Sequence, residues 1–331
     1  MNRNIVIMCL FAMCLLVACK KEATNNLTST SVNYKNVKTP DFSADSAYNY
    51  VKKQCDFGAR IPMSKAANDC AEWMINFLKE KADTVYVQEF SASLWNSEQV
   101  KGKNIIASFN LEATDRVLLC SHWDSRLWAD QDKDSSLHHQ PIIGANDGAS
   151  GVGILLEIAR LMKDKKTKQG LDIVLFDLED QGTPEWAENT SEDQTDWCLG
   201  SQYWAKNTHL PYYRAKYGIL LDMVGAKDIR FTKEYVSMSY APMIMNNVWS
   251  VAKDLGYGNI FVDAQEGSVM DDHVFVNRYA KIPTIDIVQN SANGSFFPHW
   301  HTSKDNMDCI SKESLYKVGK VVLTTFFAAE E

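Results

Sequence analysis

Three short, nearly continuous apolar runs, at residues 117–121, 171–178 and 217–224, constrain this chain more than any other feature. Each is too short for an ordinary buried helix and lacks the polar alternation of a strand with one wet face. Such runs are the mark of strands covered on both sides. Between and around them lie segments of helical period: 43–55, 64–81, 148–163, 199–207, 241–255 and 312–327. In the second of these, Ala66, Cys70, Trp73, Phe77 and Leu78 recur on one face. Two more strand-like segments, 84–90 and 104–109, precede the first run, and the polar stretch 126–140 carries no period and reads as a loop. Strands alternating with helices predict an α/β fold of three layers, with a central, mostly parallel mixed sheet flanked by helices.

The ends narrow the organisation. Arg3 followed by the apolar run 5–17 has the form of a signal peptide and is too short to span a bilayer. Its close, Leu16-Val17-Ala18-Cys19, has the look of a bacterial lipobox, so cleavage after residue 18 and lipidation of Cys19 are expected. Residues 19–40, rich in Asn, Thr, Ser and Lys, read as a flexible tether, and 41–331 as one catalytic domain. An exported, periplasm-facing lipoprotein held to a membrane follows as an expectation. The formal charge of −8 and the lack of any basic tract past the tether argue against nucleic acid as a partner. Beyond Cys19 stand Cys55, Cys70, Cys120, Cys198 and Cys309, an odd number without close pairs, which speaks against a thiolate zinc site or a dense disulfide framework.

Polar residues of metal-binding type gather at the ends of these runs: His122, Glu179-Asp180 and Asp222, with Asp147 in Gly-Ala-Asn-Asp-Gly-Ala-Ser-Gly and His301 in Trp-His-Thr. Ligands in open α/β sheets lie at the carboxyl ends of strands, so distant segments can converge there. One imidazole and two carboxylates make a catalytic zinc set with an open position. Each residue also has a plainer reading. Asp147 suits a helix N-cap, the acidic pair suits a solvated loop, and a lone histidine is usually no ligand.

The order His122-Trp123-Asp124-Ser125, Asn146-Asp147-Gly148, Asp177-Leu178-Glu179-Asp180, Leu221-Asp222-Met223 and His301-Thr302 resembles the zinc-dependent aminopeptidase superfamily. Within it the chain looks most like the animal-type glutaminyl cyclases, on Phe297-Pro298 before Trp300-His301-Thr302, on Trp186, and on Asp271-Asp272-His273. The resemblance implies cyclisation of N-terminal glutamine to pyroglutamate with release of ammonia, on peptide or protein substrates. It implies one zinc per chain, held by Asp147, Asp180 and His301, and Glu179 as proton shuttle. It further implies an acidic network of Asp222 and Asp272 around Glu179, and a pocket lined by Trp186, Phe297 and Trp300. The chain departs from the pattern at Asp180, where the second acid is usually Glu, and at His299, which intrudes before Trp300. A zinc aminopeptidase stays open as an alternative, since His122 and Asp222 could hold a second ion with Asp147 bridging.

Overall fold

The computed structural model describes residues 33–187, 195–290 and 295–329. Among the described residues eight strands and eight α-helices follow one another as α1 (Ala44–Asp56), α2 (Lys65–Lys79), β1 (Thr84–Ser93), β2 (Gln99–Phe109), β3 (Arg116–His122), α3 (Ala149–Met162), β4 (Gly170–Phe176), α4 (Leu199–Lys206), β5 (Tyr217–Asp222), β6 (Phe231–Lys233), α5 (Tyr235–Tyr240), α6 (Pro242–Asp254), β7 (Phe261–Gln265), α7 (Asp272–Phe275), β8 (Thr284–Val288) and α8 (Lys312–Ala328).

Six strands form the central sheet in the order β1-β2-β4-β3-β5-β8. The β1–β2 hairpin enters antiparallel to β4, and β4, β3, β5 and β8 run parallel. The three apolar runs are the middle of the sheet. Alternation along them builds two cores, one on each face. Val117, Leu119, Ile173, Leu175, Ile219 and Leu221 pack with residues of α1, α2, α3 and α8. Leu118, Cys120, Val174, Phe176 and Leu220 pack instead with Trp204, Tyr213 and Val276. The expected three layers are therefore present, with the mixed sheet between them.

Serines set the helix starts. Ser43, Ser64 and Ser311 accept from the backbone amides of Ser46 (3.1 Å), Ala67 (3.0 Å) and Ser314 (3.3 Å), satisfying donors that the first turn leaves open. Five elements are not legible in the sequence: β8, whose five residues are all buried, and the small β6–β7 pair with α5 and α7.

The boundary drawn at residue 40 is too late. The residues 33–40 assigned to the tether lie against the domain: the Tyr34 hydroxyl donates to Asn247 Oδ1 (2.5 Å), Val37 is buried, and Lys320 donates to the Thr39 hydroxyl. Two apolar side chains among polar neighbours suffice to dock the segment. The signal-peptide and lipidation readings at residues 1–19, and the rest of the tether to residue 32, lie outside the described residues. Among the described residues all five cysteines are free thiols, and no helix is long and apolar enough to cross a membrane.

Candidate metal centre and pocket

The carboxyl end of the sheet carries the chemistry. His122 is the last residue of β3 and Asp222 the last of β5; Glu179 and Asp180 follow β4 after a left-handed Leu178 (φ 57°). Asp147 sits in the turn into α3, and His301, itself left-handed (φ 53°), in the loop before α8.

Asp147 is not the cap of α3. The N-cap is Gly148 (φ 91°), which makes no side-chain cap. A Cβ there would stand 2.7 Å from the Asp124 carbonyl and 2.9 Å from the His122 ring, so only glycine fits the turn. The loop is held from behind by Asp305, whose carboxylate accepts from the amides of Asn146 (2.7 Å) and Asp147 (3.0 Å). The Asp147 side chain is thereby left to the site.

Asp147, Asp180 and His301 offer donor atoms within 4.8 Å of one another, all buried. His301 Nε2 lies 2.8 Å from Asp180 Oδ1 and 3.7 Å from Asp147 Oδ2. Its other nitrogen faces Asp130 Oδ1 at 3.5 Å, and Asp130 is clamped by two bonds from Arg126 (2.8 and 2.6 Å). A carboxylate behind the ring is the support a metal-bound imidazole needs. Burial and the Arg126 guanidinium push the His301 ring down to about 3, so it is neutral and offers a lone pair. Burial raises the Asp147 carboxyl, with Asp180 adding to it, and lifts Asp180 far above the ordinary carboxylate range. Asp147 Oδ2 and both Asp180 oxygens are buried without a hydrogen-bond partner among the described residues. Two facing carboxylates and a neutral imidazole, so arranged, fit a divalent cation, and the nitrogen–oxygen donor set is one that zinc takes. The shorter Asp180 reaches the centre without any change in this set.

A second set, His122, Asp147 and Asp222, shares Asp147 with the first. Here the partners are already engaged. His122 Nε2 lies 3.0 Å from Asp147 Oδ1 and 3.2 Å from Asp222 Oδ1, and Nδ1 lies 3.4 Å from Asp124 Oδ1. Burial opposes a charge on this ring, but the hydrogen bonds to the three aspartates outweigh it and raise its pKa well above the ordinary value. Asp124 also accepts from the amides of Glu179 and Asp180 (3.1 Å each) and from Gln181 (2.9 Å), tying the β3 end to the acidic pair. Burial would raise Asp124, yet His122 and these bonds leave it below its ordinary value.

Beside the first set opens a pocket of about 250 Å³ lined by Asp147, Glu179, Asp180, Asp222, Asp271 and His301, with Trp197, Met223, Ser268, Met270, Phe296 and Trp300 as the remaining wall. The Trp300 ring stacks on His301 (centroids 3.7 Å), Trp197 lies parallel to the same ring at 5.9 Å, and Phe296 packs on Trp300 at 4.8 Å. Burial drives the Glu179 carboxyl well above its usual range; His122 opposes this and Asp271 adds to it. Burial, then Asp222, brings Asp271 to about 6.

Two residues expected to line the pocket, Phe297 and Trp186, do not. Asp272, expected in the acidic network around Glu179, is the first residue of α7; it is buried toward Ser201 of α4 and its charge still raises the Glu179 carboxyl, while its neighbour Asp271 is the carboxylate that lines the pocket. Phe297 is buried on the far side of its loop, beside a separate cavity of about 580 Å³ that holds none of the candidate ligands, while Phe296 faces the site. Trp186 packs among Trp128, His138 and His139, and Trp197 takes the pocket position. The intruding His299 lines the separate cavity as well.

The chain is similar to proteins of known structure. A glutaminyl cyclase from Bacteroides thetaiotaomicron, solved with N-acetylhistamine bound, is 46% identical with a TM-score of 0.86, over 88% of this chain and 99% of that one. A Zn-dependent exopeptidase from Parabacteroides distasonis is equally similar, at 46% identity and a TM-score of 0.85 over 88% and 99% of the two chains. The glutaminyl-peptide cyclotransferase of Dictyostelium discoideum is 24% identical over 254 residues, 68% of this chain. The chain spans 42% and 63% of the length of the curated relatives it matches first. The model of peptidase family M28 matches residues 104–326, the stretch that carries every candidate ligand, and the chain belongs to that family.

Proposed function

We propose that this chain is a zinc-dependent glutaminyl-peptide cyclotransferase, closing N-terminal glutamine of peptides and proteins to pyroglutamate and releasing ammonia. The observation that carries the reading is the aromatic enclosure of the first donor set. Trp300, Trp197 and Phe296 wall a pocket of about 250 Å³ beside His301, a space of the size that a single glutamine side chain would fill. The identity to a solved glutaminyl cyclase supports it.

Asp147, Asp180 and His301 would hold a single zinc, whose Lewis acidity polarises the γ-carbonyl of the substrate glutamine. The aromatic wall packs the aliphatic part of that side chain and sheds water, which suppresses hydrolysis to glutamate. The nucleophile is the substrate's own α-amine, so holding the chain curled supplies much of the rate. As the new C–N bond forms, Glu179 accepts the amine proton, and it returns a proton to the nitrogen that leaves as ammonia. A carboxyl raised by burial is suited to both directions of transfer. Asp222 and Asp271 flank it as the acidic wall.

A second reading, a zinc exopeptidase, draws on the paired donor sets joined at Asp147. The two are separated by incubating the protein with a peptide bearing N-terminal Gln and with one bearing N-terminal Leu. Ammonia from the first, no free Leu from the second and one zinc per chain are expected. Two tightly bound zinc ions with release of Leu would establish the peptidase instead. Export and attachment through a lipid on Cys19 form part of the proposal and are supported by the Leu16-Val17-Ala18-Cys19 motif.

A further inference from the structure

Behind the pocket lies a group of ionisable side chains that the mechanism leaves unused. Glu234, His273 and Asp286 come from three elements, the start of α5, α7 and β8, and all three are fully buried. Glu234 is fixed as the N-cap of α5. Its carboxylate accepts from the amides of Ser237 and Val236 (2.7 Å to the latter), and reaches the Val269 amide in the pocket loop (3.5 Å). His273 stands between two carboxylates, with Nε2 3.4 Å from Glu234 Oε1 and Nδ1 3.8 Å from Asp286 Oδ2. Asp286 is anchored through its backbone amide to the Ser237 hydroxyl (2.9 Å). Donor atoms of Asp271, His273 and Asp286 lie within 4.8 Å of one another. Both Asp286 oxygens and Asp271 Oδ2 have no hydrogen-bond donor among the described residues, and a proton held between the two carboxyl groups would give each a partner.

A buried acid in the middle of an apolar strand is costly unless something uses it. Asp286 interrupts Thr284-Ile285-Asp286-Ile287-Val288, where an aliphatic residue would complete the core. What lies beyond it is Asp271, which touches the pocket, stands within 4.8 Å of Glu179 and Cys198 through its own donor atoms, and feels the charge of Asp222.

We infer that Asp286 and His273, braced by Glu234, are positioning residues for Asp271: they fix its carboxyl against Glu179. The inference rests on the cyclase reading for its assay. Neither residue lines the pocket, so substrate binding does not pass through them.

The test uses Asp286→Asn and His273→Gln in the zinc-loaded chain, with kcat and KM for a Gln-peptide, zinc content and the thermal midpoint recorded for each. Each substitution is expected to lower kcat about ten- to a hundredfold with KM within about twofold and zinc retained. A double-mutant cycle then places the effect: in an Asp271→Asn background, Asp286→Asn should cause little further loss, because it acts through Asp271. Unchanged kcat in both single variants, or losses that multiply in the double variant, would overturn the inference. If Asp286→Asn fails to fold, His273→Gln with Asp271→Asn supplies the same cycle. Failure of the cyclase reading would look different, since the unsubstituted protein would then release no ammonia.

Discussion

At the scale of single residues, Glu179 bears the heaviest prediction. Glu179→Gln keeps the shape of the side chain and removes its proton exchange, so kcat should fall about 10²–10⁴-fold while zinc stays bound. The base works ionised, and burial first, then Asp271, raises its pKa. Activity should therefore decline with falling pH at a point above the ordinary carboxylate range. Asp271→Asn removes a like charge, lowers the pKa of Glu179 and should move this acid limb to lower pH. A limb that stayed in place would remove Asp271 from the account. The ligand-type residues were legible as candidates because His122, Glu179-Asp180 and Asp222 stand at the carboxyl ends of apolar strands, and the family resemblance supplied their roles. Their neighbours were not. Asp271 caps α7 in extended backbone while Asp272 has already entered the helix, so adjacent side chains diverge. Phe296 and Phe297 also part, the first toward the donor set and the second toward the separate cavity.

Among the elements, the entry to α3 is where sequence and site are joined most tightly. Gly148 combines a positive φ with two close contacts, so Gly148→Ala should cost more than about 2 kcal/mol and disturb the zinc set through the shifted His122 ring. Denaturant unfolding together with zinc content checks this, and an alanine variant with unchanged stability would contradict it. The starts of α1, α2 and α8 were readable to within a residue because serine caps leave a local chemical mark. The three apolar runs were readable because burial on both faces leaves no alternation. β8 escaped because Asp286 breaks its apolar run, and that acid answers to the site rather than to the strand. α5, α7 and the β6–β7 pair are short, and tertiary contacts rather than any periodicity hold them in place.

For the whole molecule, the docked segment 33–40 sets where the domain begins. A chain starting at Asn33 should stay folded and active and partition away from membranes, whereas the full-length chain should fractionate with them. A chain starting at Asp41 loses the Tyr34 bond, the buried Val37 and the Thr39 contact, at a cost of about 2–4 kcal/mol in unfolding midpoints. Equal stability of the two truncations would show the docking to be idle. The composition of this segment matched the tether before it, and two apolar anchors in eight residues are too faint a signal to read without the surface they meet.

The place of Asp147 in both donor sets has a consequence for how such chains diverge. Measured at the ligands, the sequence distance between a one-ion and a two-ion enzyme is zero here, since every donor for either is present. What separates them is whether the space beside His122 holds a proton or an ion, and which substrate the aromatic wall admits. A lineage could thus pass between the two chemistries without altering a ligand, and ligand comparison alone would never record the event.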